Sequence, residues 1–561
     1  MEIMTIVQRL RAYVQRNRDY IAAAGTLDIA YFFSCMGDRL WTFSMGFFIM
    51  SIGGLAWVAL GQMFDSAIKV VTLSYVGQFL DKQSRHFGMQ LILACNNLLI
   101  FLSALAFYFT MSGYFENSMV LLGVALFFNA LSRVASEAQK TAFMKDWIVV
   151  IVEESEDGKL STHNALTNIV DQMAALFSPL ICGYAVEKAG PPAACLFFMA
   201  WNILSWLVEA FFIRGLYQGH TALQTRDARR EEQIEMVEKS MEEEDKTAET
   251  PPPAKTNDGS FCSSLSLYRN QSCFRPAFSL ALLYLTILGF DNIATSYGYS
   301  QGMPPSLVGW FRAAGSIFGV LGLSFYRLFR GAGLSMATLG LIGLVLQNVF
   351  LNLSSFSVFV KGNDFDFAGY RANFTGEKWA GELKTAFFEG HKMTGANATI
   401  PPVYDIPGLW ANAPSLVFFF LGITLARFGL WMADVSIAEI MQETIKESGL
   451  QESFSFAKDV LVLAFPTSAT FGCLIIMSVS SVFCGFLLYT SWFIPTKCPC
   501  RKSARTLPAA DSSRGQVENG YRPASPLGLK GPEPGCHPEL EELLYSDGIE
   551  ASLQTNRTDA L

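Results

Sequence analysis

The stretch Cys35-Met36-Gly37-Asp38-Arg39-Leu40-Trp41-Thr42-Phe43 sets a carboxylate and a guanidinium inside an apolar segment that runs from Gly25 to Gly53. As a helix, such a segment is long enough to span the roughly 30 Å hydrocarbon core of a bilayer. An ionised carboxylate at that depth is costly unless it meets a partner or lines a water-filled cavity, so Asp38 marks a functional site by default. The plainer alternative is a structural ion pair with Arg39. Neighbours on a helix point about 100° apart, however, so both groups need partners on other helices.

Outward from this segment the composition stays apolar. Of 561 residues, 51% are hydrophobic and 16% charged, against about 25% charged in soluble domains. The chain reads as an all-α, polytopic membrane protein in contact with the lipid bilayer. Its formal net charge of -8 comes largely from loops and tail and gives no sign of nucleic-acid binding. The 11 cysteines are scattered, as packing thiols are, and form no disulfide framework pattern. The polar, basic first 20 residues are not a cleavable signal peptide.

Residues 1–24 read as a cytosolic N-terminus carrying Arg9, Arg11, Arg16 and Arg18. Six spans follow in 25–214, near 26–53, 56–76, 88–112, 118–144, 160–186 and 190–214. Lys82, Arg85, Lys145 and Lys159 fall in the connectors after even-numbered spans, which therefore end inside. Residues 215–272 turn charged and Pro-rich, as a cytosolic linker does. A second six-span half occupies 273–494, near 276–301, 304–326, 333–356, 412–442, 450–465 and 469–493, with a polar extracellular loop at 361–411. That loop holds the glycosylation sequons at Asn373 and Asn397. The eleventh of these twelve spans is atypical, since Glu452, Lys458 and Asp459 interrupt it before Pro466. Lys497, Arg501 and Lys502 keep the tail, 495–561, in the cytosol as a disordered segment. In the tail, Cys498-Pro499-Cys500 suits palmitoylation or is simply two solvent-facing thiols, and Glu539-Leu540-Glu541-Glu542-Leu543-Leu544 has the form of a sorting signal.

In the sixth span, Asn202, Ser205 and Glu209 stand at offsets of three and seven and share one helix face. Asn96 and Asn97 add amide oxygens in the third. With Asp38 these are hard oxygen ligands suited to a divalent cation; the alternative is interhelical hydrogen bonding. Asp65 with Lys69, and Arg133 with Glu137, are spaced to neutralise each other along their own helices. Gly289-Phe290-Asp291-Asn292 breaks the seventh span in the manner of an unwound segment lining a cavity. Arg427 and Asp434 face one side of the tenth, as a pair or a gate. None of the five histidines lies at a span centre, and there is no nucleophile–base set or phosphate-cradling loop. These absences argue against an enzyme or an ATP-driven pump.

Several segments together resemble the ferroportin family of the major facilitator superfamily. They are Gly37-Asp38-Arg39-Leu40-Trp41, Lys145-Asp146-Trp147-Ile148-Val149-Val150, Asp171-Gln172, Trp201-Asn202, Leu285-Thr286-Ile287-Leu288-Gly289-Phe290-Asp291 and Ala426-Arg427-Phe428-Gly429-Leu430-Trp431. The resemblance implies two six-helix halves around a central cavity and alternating access. It further implies outward movement of ferrous iron or related divalent cations, coupled to protons, across the plasma membrane. The metal is substrate, and no cofactor is expected. Asp38, Asn96, Asn202, Ser205 and Glu209 match cation-binding positions, while Arg39, Asp81, Arg85, Asp146 and Arg427 match gate networks. The sequence departs from the pattern at Thr42, where vertebrate exporters carry a histidine, at Asn292, where they carry a cysteine, and at Val462, aligned with a metal-binding histidine. A second metal site at Asn292 and Val462 is thereby degenerate, and thiol-dependent control by hepcidin is not expected. A family member that has lost transport and acts as a receptor or regulator is the competing reading.

Overall fold

The computed structural model describes residues 18–114, 118–153, 160–220, 223–224, 274–363, 365, 367–389, 403–442, 458–464 and 470–497. In the first half, α1 is Arg18–Gly53, α2 Leu55–Asp81, α3 Arg85–Met111, α4 Ser118–Ala142, α5 Leu160–Ala189 and α6 Pro191–Gly219. A π-helical turn, Phe143–Trp147, and a short helix, Ile148–Glu153, extend α4. In the second half, α7 is Phe274–Tyr284, α8 Asn292–Ser300, α9 Pro305–Gly331, α10 Met336–Ser357 and α11 Pro414–Gln442. The helical residues described over 458–464, labelled α12, precede α13, Phe471–Lys497. Helix α6 continues to Gly219, into the expected linker 215–272; the linker beyond residue 224, the sequon at Asn397 and the tail motifs lie outside the described residues.

Among the described residues, eight helices are long and apolar enough to cross a membrane by length and composition. The other expected crossings are those with charge or a break. Helices α1 and α2 carry Asp38, Arg39, Asp65 and Lys69; α7 and α8 together make one interrupted crossing. Of the expected eleventh crossing, 450–465, only residues 458–464 are described, and they are helical. The surface is inverted relative to a soluble protein. On α6, Asn202, Ser205 and Glu209 are at most 5% exposed while Leu207 and Phe211 are 63% and 75% exposed, so the polar stripe faces protein and the apolar face meets lipid.

Short turns join α1 to α2 at Gly54 and α5 to α6 at Gly190, both at φ of 80°, a backbone conformation that glycine adopts without a Cβ penalty. The two halves meet closely at the end carrying these turns, called here the turn end. Pro179 inside α5 removes the amide that would bond Ala175 O, and Ser316 Oγ on α9 donates to that carbonyl at 3.2 Å. Toward the turn end, Ser306 Oγ donates to Glu187. Helices α5 and α9 pack so tightly that a Cβ on Gly183 would stand 2.4 Å from Pro305 O. On the other flank, Ser296 Oγ of α8 donates to Gly46 O of α1 at 2.8 Å. The loop helix Gly376–Lys384 and the π turn Thr385–Glu389 lie over this end. Trp57 Nε1 of α2 bonds Phe387 O at 3.1 Å, and Trp379 Nε1 bonds Ala464 O of α12 at 2.9 Å.

The break between α7 and α8 takes the form its sequence suggests. Exposed backbone groups in a membrane require internal partners. Ile287 N donates to Ser478 Oγ at 3.1 Å and Leu288 N to Thr286 Oγ1 at 2.9 Å, while Arg312 donates to Phe290 O. Asp291 then caps α8, accepting from Ala294 N at 3.0 Å.

Candidate functional site

Asp38 sits midway along α1 and lines a cavity of about 460 Å³ to which both halves contribute. One of its carboxylate oxygens accepts from Ser136 Oγ on α4, the other from Asn96 Nδ2 on α3 at 3.3 Å. The Asn96 amide also donates to Gln139 Oε1 at 3.3 Å, and Gln139 Nε2 donates to Glu209 Oε2 and Ser34 Oγ, both at 2.9 Å. Glu209 accepts again from Ser205 Oγ. Carboxylates from α1 and α6 are thus joined through two amides held by α3 and α4. Asn96 Oδ1 is buried without a hydrogen-bond partner; such a group in a native core calls for an explanation, and a cation is one that fits an amide oxygen beside a carboxylate.

Four of the five residues aligned as cation ligands therefore share one network. Asn202 stands outside that network, its Nδ2 donating to Asn97 O at 2.8 Å and tying α6 to α3. Asp38 is the member of the set that lines the cavity, whereas Asn96, Ser205 and Glu209 are buried behind it. Among the described residues no three His, Cys, Asp or Glu side chains converge on a metal position. A site of few oxygen donors opening on a cavity suits an ion that must leave again.

The ion pairs cross between helices where the spacing suggested pairs along them. Arg133 donates to Thr42 Oγ1 on α1. Asp65 accepts from Asn129 Nδ2 of α4, both contacts at 3.0 Å, and Lys69 lies 3.9 Å from Glu137. Packing of α2 against α4 brings these closer partners than the helix surface offers. Arg39 turns to Asp171 on α5, at 2.8 Å. Arg85, in the first turn of α3, holds Asp146 of the π turn through contacts of 2.9 to 3.1 Å. Asp81 ends α2, but its side chain lies outside the described residues. In α11, Asp434 accepts from Tyr284 OH at 3.0 Å and Arg427 lies over the Phe290 ring, 5.9 Å from its centre. Arg427 and Asp434 are thereby engaged with different partners on the α7 side of the cavity.

A sequence model of the Ferroportin1 (FPN1) family matches residues 22–482, from α1 into α13. The chain belongs to the ferroportin family. It is 28% identical over 527 residues to the ferroportin of Homo sapiens, covering 84% of this chain and 91% of that protein. With solute carrier family 40 member 1 of Danio rerio it shares 26% over 529 residues, covering 85% and 92%. In fold it is similar to a bacterial homologue of the iron transporter ferroportin in an inward-facing state, with TM-score 0.57 at 16% identity, covering 84% of this chain and 99% of that one. A peptide transporter matches with TM-score 0.50 at 12% identity, covering 84% and 94%. The fold is therefore that of the major facilitator transporters, two six-helix halves about a central cavity, and the protein is a multi-pass membrane protein.

In this ferroportin-family chain the second half is built differently from the first. Asn292 begins α8 and lines the cavity, while Val462 is fully buried in the apolar core of α12. The charged residues of α12 fill the same region: Lys458 Nζ lies 2.9 Å from Asp291 Oδ2 and 3.3 Å from Asp459 Oδ1. Asp459 reaches across to the first half, accepting from Ser66 Oγ at 3.0 Å. Sequence reasoning missed Asn129, Ser136 and Gln139, the α4 side of the site. Their signal is present, because Asn129, Ser132, Ser136 and Gln139 recur at helical spacing on one face. It is masked by the neighbouring Arg133 and Glu137, whose opposite charges read as a local pair.

Proposed function

We propose that the chain is a transporter of ferrous iron and related divalent cations, exporting them from the cytosol by alternating access of its two halves, with proton coupling. One observation carries this reading: Asp38 lines the central cavity with its carboxylate oriented by Ser136 and Asn96, and a second carboxylate, Glu209, stands behind it in the same network. Asp38 supplies the negative charge that an entering cation meets. Glu209, shielded from the cavity, is the group we assign to the proton. Because the donors are oxygens, discrimination among iron, manganese and calcium is weak.

The charge bias of the connectors supports cytosolic termini and a plasma-membrane orientation in which the turn end is extracellular. On that orientation, the contacts of α5 with α9 and of α1 with α8 close the outside, and the conformation is inward-facing. Asn373, exposed beside the loop helices, then lies on the glycosylated side, and Asn397 shares its loop. Arg39, Arg85, Asp146 and Arg427, with Asp81, are assigned to the gates that separate and rejoin as the halves rock. A second reading, a non-transporting receptor or regulator, draws on one observation: Lys458 occupies the second-half acidic pair as a tethered cation.

Purified protein in sealed vesicles separates the two readings. Iron, cobalt, manganese and calcium are each expected to cross above the level of empty vesicles; absence of flux for all four overturns the transport reading. A subtler test concerns the relay. Gln139→Leu removes the link between Asn96 and Glu209 and leaves their buried polar groups short of partners, at a cost of about 1–3 kcal/mol. The metal concentration for half-maximal flux is expected to rise by roughly 5–150-fold. An unchanged concentration dependence would take Gln139 out of the site.

A further inference from the structure

We propose that Arg312 and Arg427 form a binding site for a small carboxylate or oxyanion in the same cavity that Asp38 lines. The site goes beyond cation transport, because it assigns a negatively charged ligand to the second half of the molecule.

The argument begins from charge. The side chains lining the cavity include seven basic and six acidic residues, a cationic excess in a space expected to attract metal. Pairing then uses up the acids unevenly. Asp171 takes Arg39, and Glu137 lies against Lys69. Asp291 and Asp459 both hold Lys458. Asp434, nearest to Arg427 on its own helix, accepts from Tyr284 OH. Among the described residues, Arg133, Arg312 and Arg427 line the cavity with no carboxylate within ion-pair distance; Arg133 donates to Thr42 Oγ1 in the first half, whereas Arg312 and Arg427 lie in the second.

These two guanidiniums face the same object. The Cζ of Arg312 is 5.8 Å, and that of Arg427 5.9 Å, from the centre of the Phe290 ring, and Arg312 is also 6.0 Å from the Phe43 ring. Their hydrogen-bonding capacity is mostly unspent. Arg312 uses one donor on Phe290 O, and Arg427 makes no hydrogen bond among the described residues. A guanidinium does not shed its proton, so two of them lining one low-dielectric cavity repel unless an anion intervenes. Cation–π contact holds them in place but leaves their N–H edges free, and those planar forks match carboxylate and phosphate oxygens in paired geometry. A cavity of about 460 Å³ has room for a molecule of citrate size beside Asp38. An anion there faces the metal position from the opposite charge, and so can complete the coordination of a cation that the protein itself binds through few oxygens.

The test is binding, independent of flux. Full-length protein in detergent, free of metal, is titrated with citrate, phosphate or bicarbonate while chloride keeps the ionic strength constant, and its thermal unfolding is followed. A saturable rise in Tm with at least one anion is expected; the preferred anion distinguishes a carboxylate ligand from an inorganic oxyanion. Arg312→Gln and Arg427→Gln should each weaken that dependence by at least about tenfold. In the unmodified protein, the same anion should protect Arg312 and Arg427 from modification by phenylglyoxal, read by mass spectrometry. This second measurement decides the matter where a variant does not fold. A Tm indifferent to all three anions, equal binding by folded variants, or modification that anions do not slow overturns the proposal.

Discussion

Asp38→Ala is expected to lower metal flux by more than about 100-fold, since loss of partners merely outside a metal's ligand shell already costs 10–100-fold. The reason is geometric as well as electrostatic. Asp38 supplies the one carboxylate of the Asp38–Glu209 network that lines the cavity, so its removal leaves Glu209 screened behind Gln139 and Asn96. Ser136 and Asn96 lose their acceptor at the same time. Asp38→Asn separates the two effects, because the amide keeps the shape and a hydrogen-bonding oxygen while the charge is lost. Flux close to that of Asp38→Ala in this variant means that charge is what the site requires. Substantial flux in Asp38→Asn, with equal amounts at the cell surface, would make Asp38 a structural hub and not an ion ligand.

How much of this site could be read from the sequence depended on whether a residue's partner lay in its own helix. The oxygen stripe of α6 was legible because Asn202, Ser205 and Glu209 repeat at helical spacing, and a helix turns spacing into a shared face. The break between α7 and α8 was legible for a similar reason: Gly289, Asp291 and Asn292 are poor company inside an apolar span. What spacing does not encode is which helices touch. Arg133 and Glu137 stand four residues apart, yet packing gives them Thr42 on α1 and Lys69 on α2. Asn202 lies on the predicted face, and its Nδ2 is engaged in holding α3 through Asn97 O. Lys458 was visible only as an interruption of a span; its pairing with Asp291 depends on a contact between segments 167 residues apart.

Gly183→Val carries the other large expected effect, and on the proposed alternating-access cycle it acts without touching Asp38 or its hydrogen-bonded partners. A Cβ at Gly183 would stand 2.4 Å from Pro305 O, and one at Gly309 would stand 2.4 Å from Pro179 O. Each clash is with backbone, so no side-chain rotation relieves it, and α5 and α9 must separate. Separation also strains the bonds that bridge them, Ser316 Oγ to Ala175 O and Ser306 Oγ to Glu187. Overpacking of this kind costs about 1–3 kcal/mol. Placed on one state of a two-state equilibrium, that cost shifts the populations by roughly 5–150-fold away from the state closed at the turn end. Spin-label distances between the turn-end tips of α5 and α9 should lengthen accordingly. Metal flux should fall, because a carrier held open at one end cannot complete its return. The variant leaves Asp38, Asn96 and Glu209 in place, so metal binding in detergent is expected to persist. Unchanged distances together with unchanged flux would mean that the α5–α9 contact is passive packing and that the halves part elsewhere.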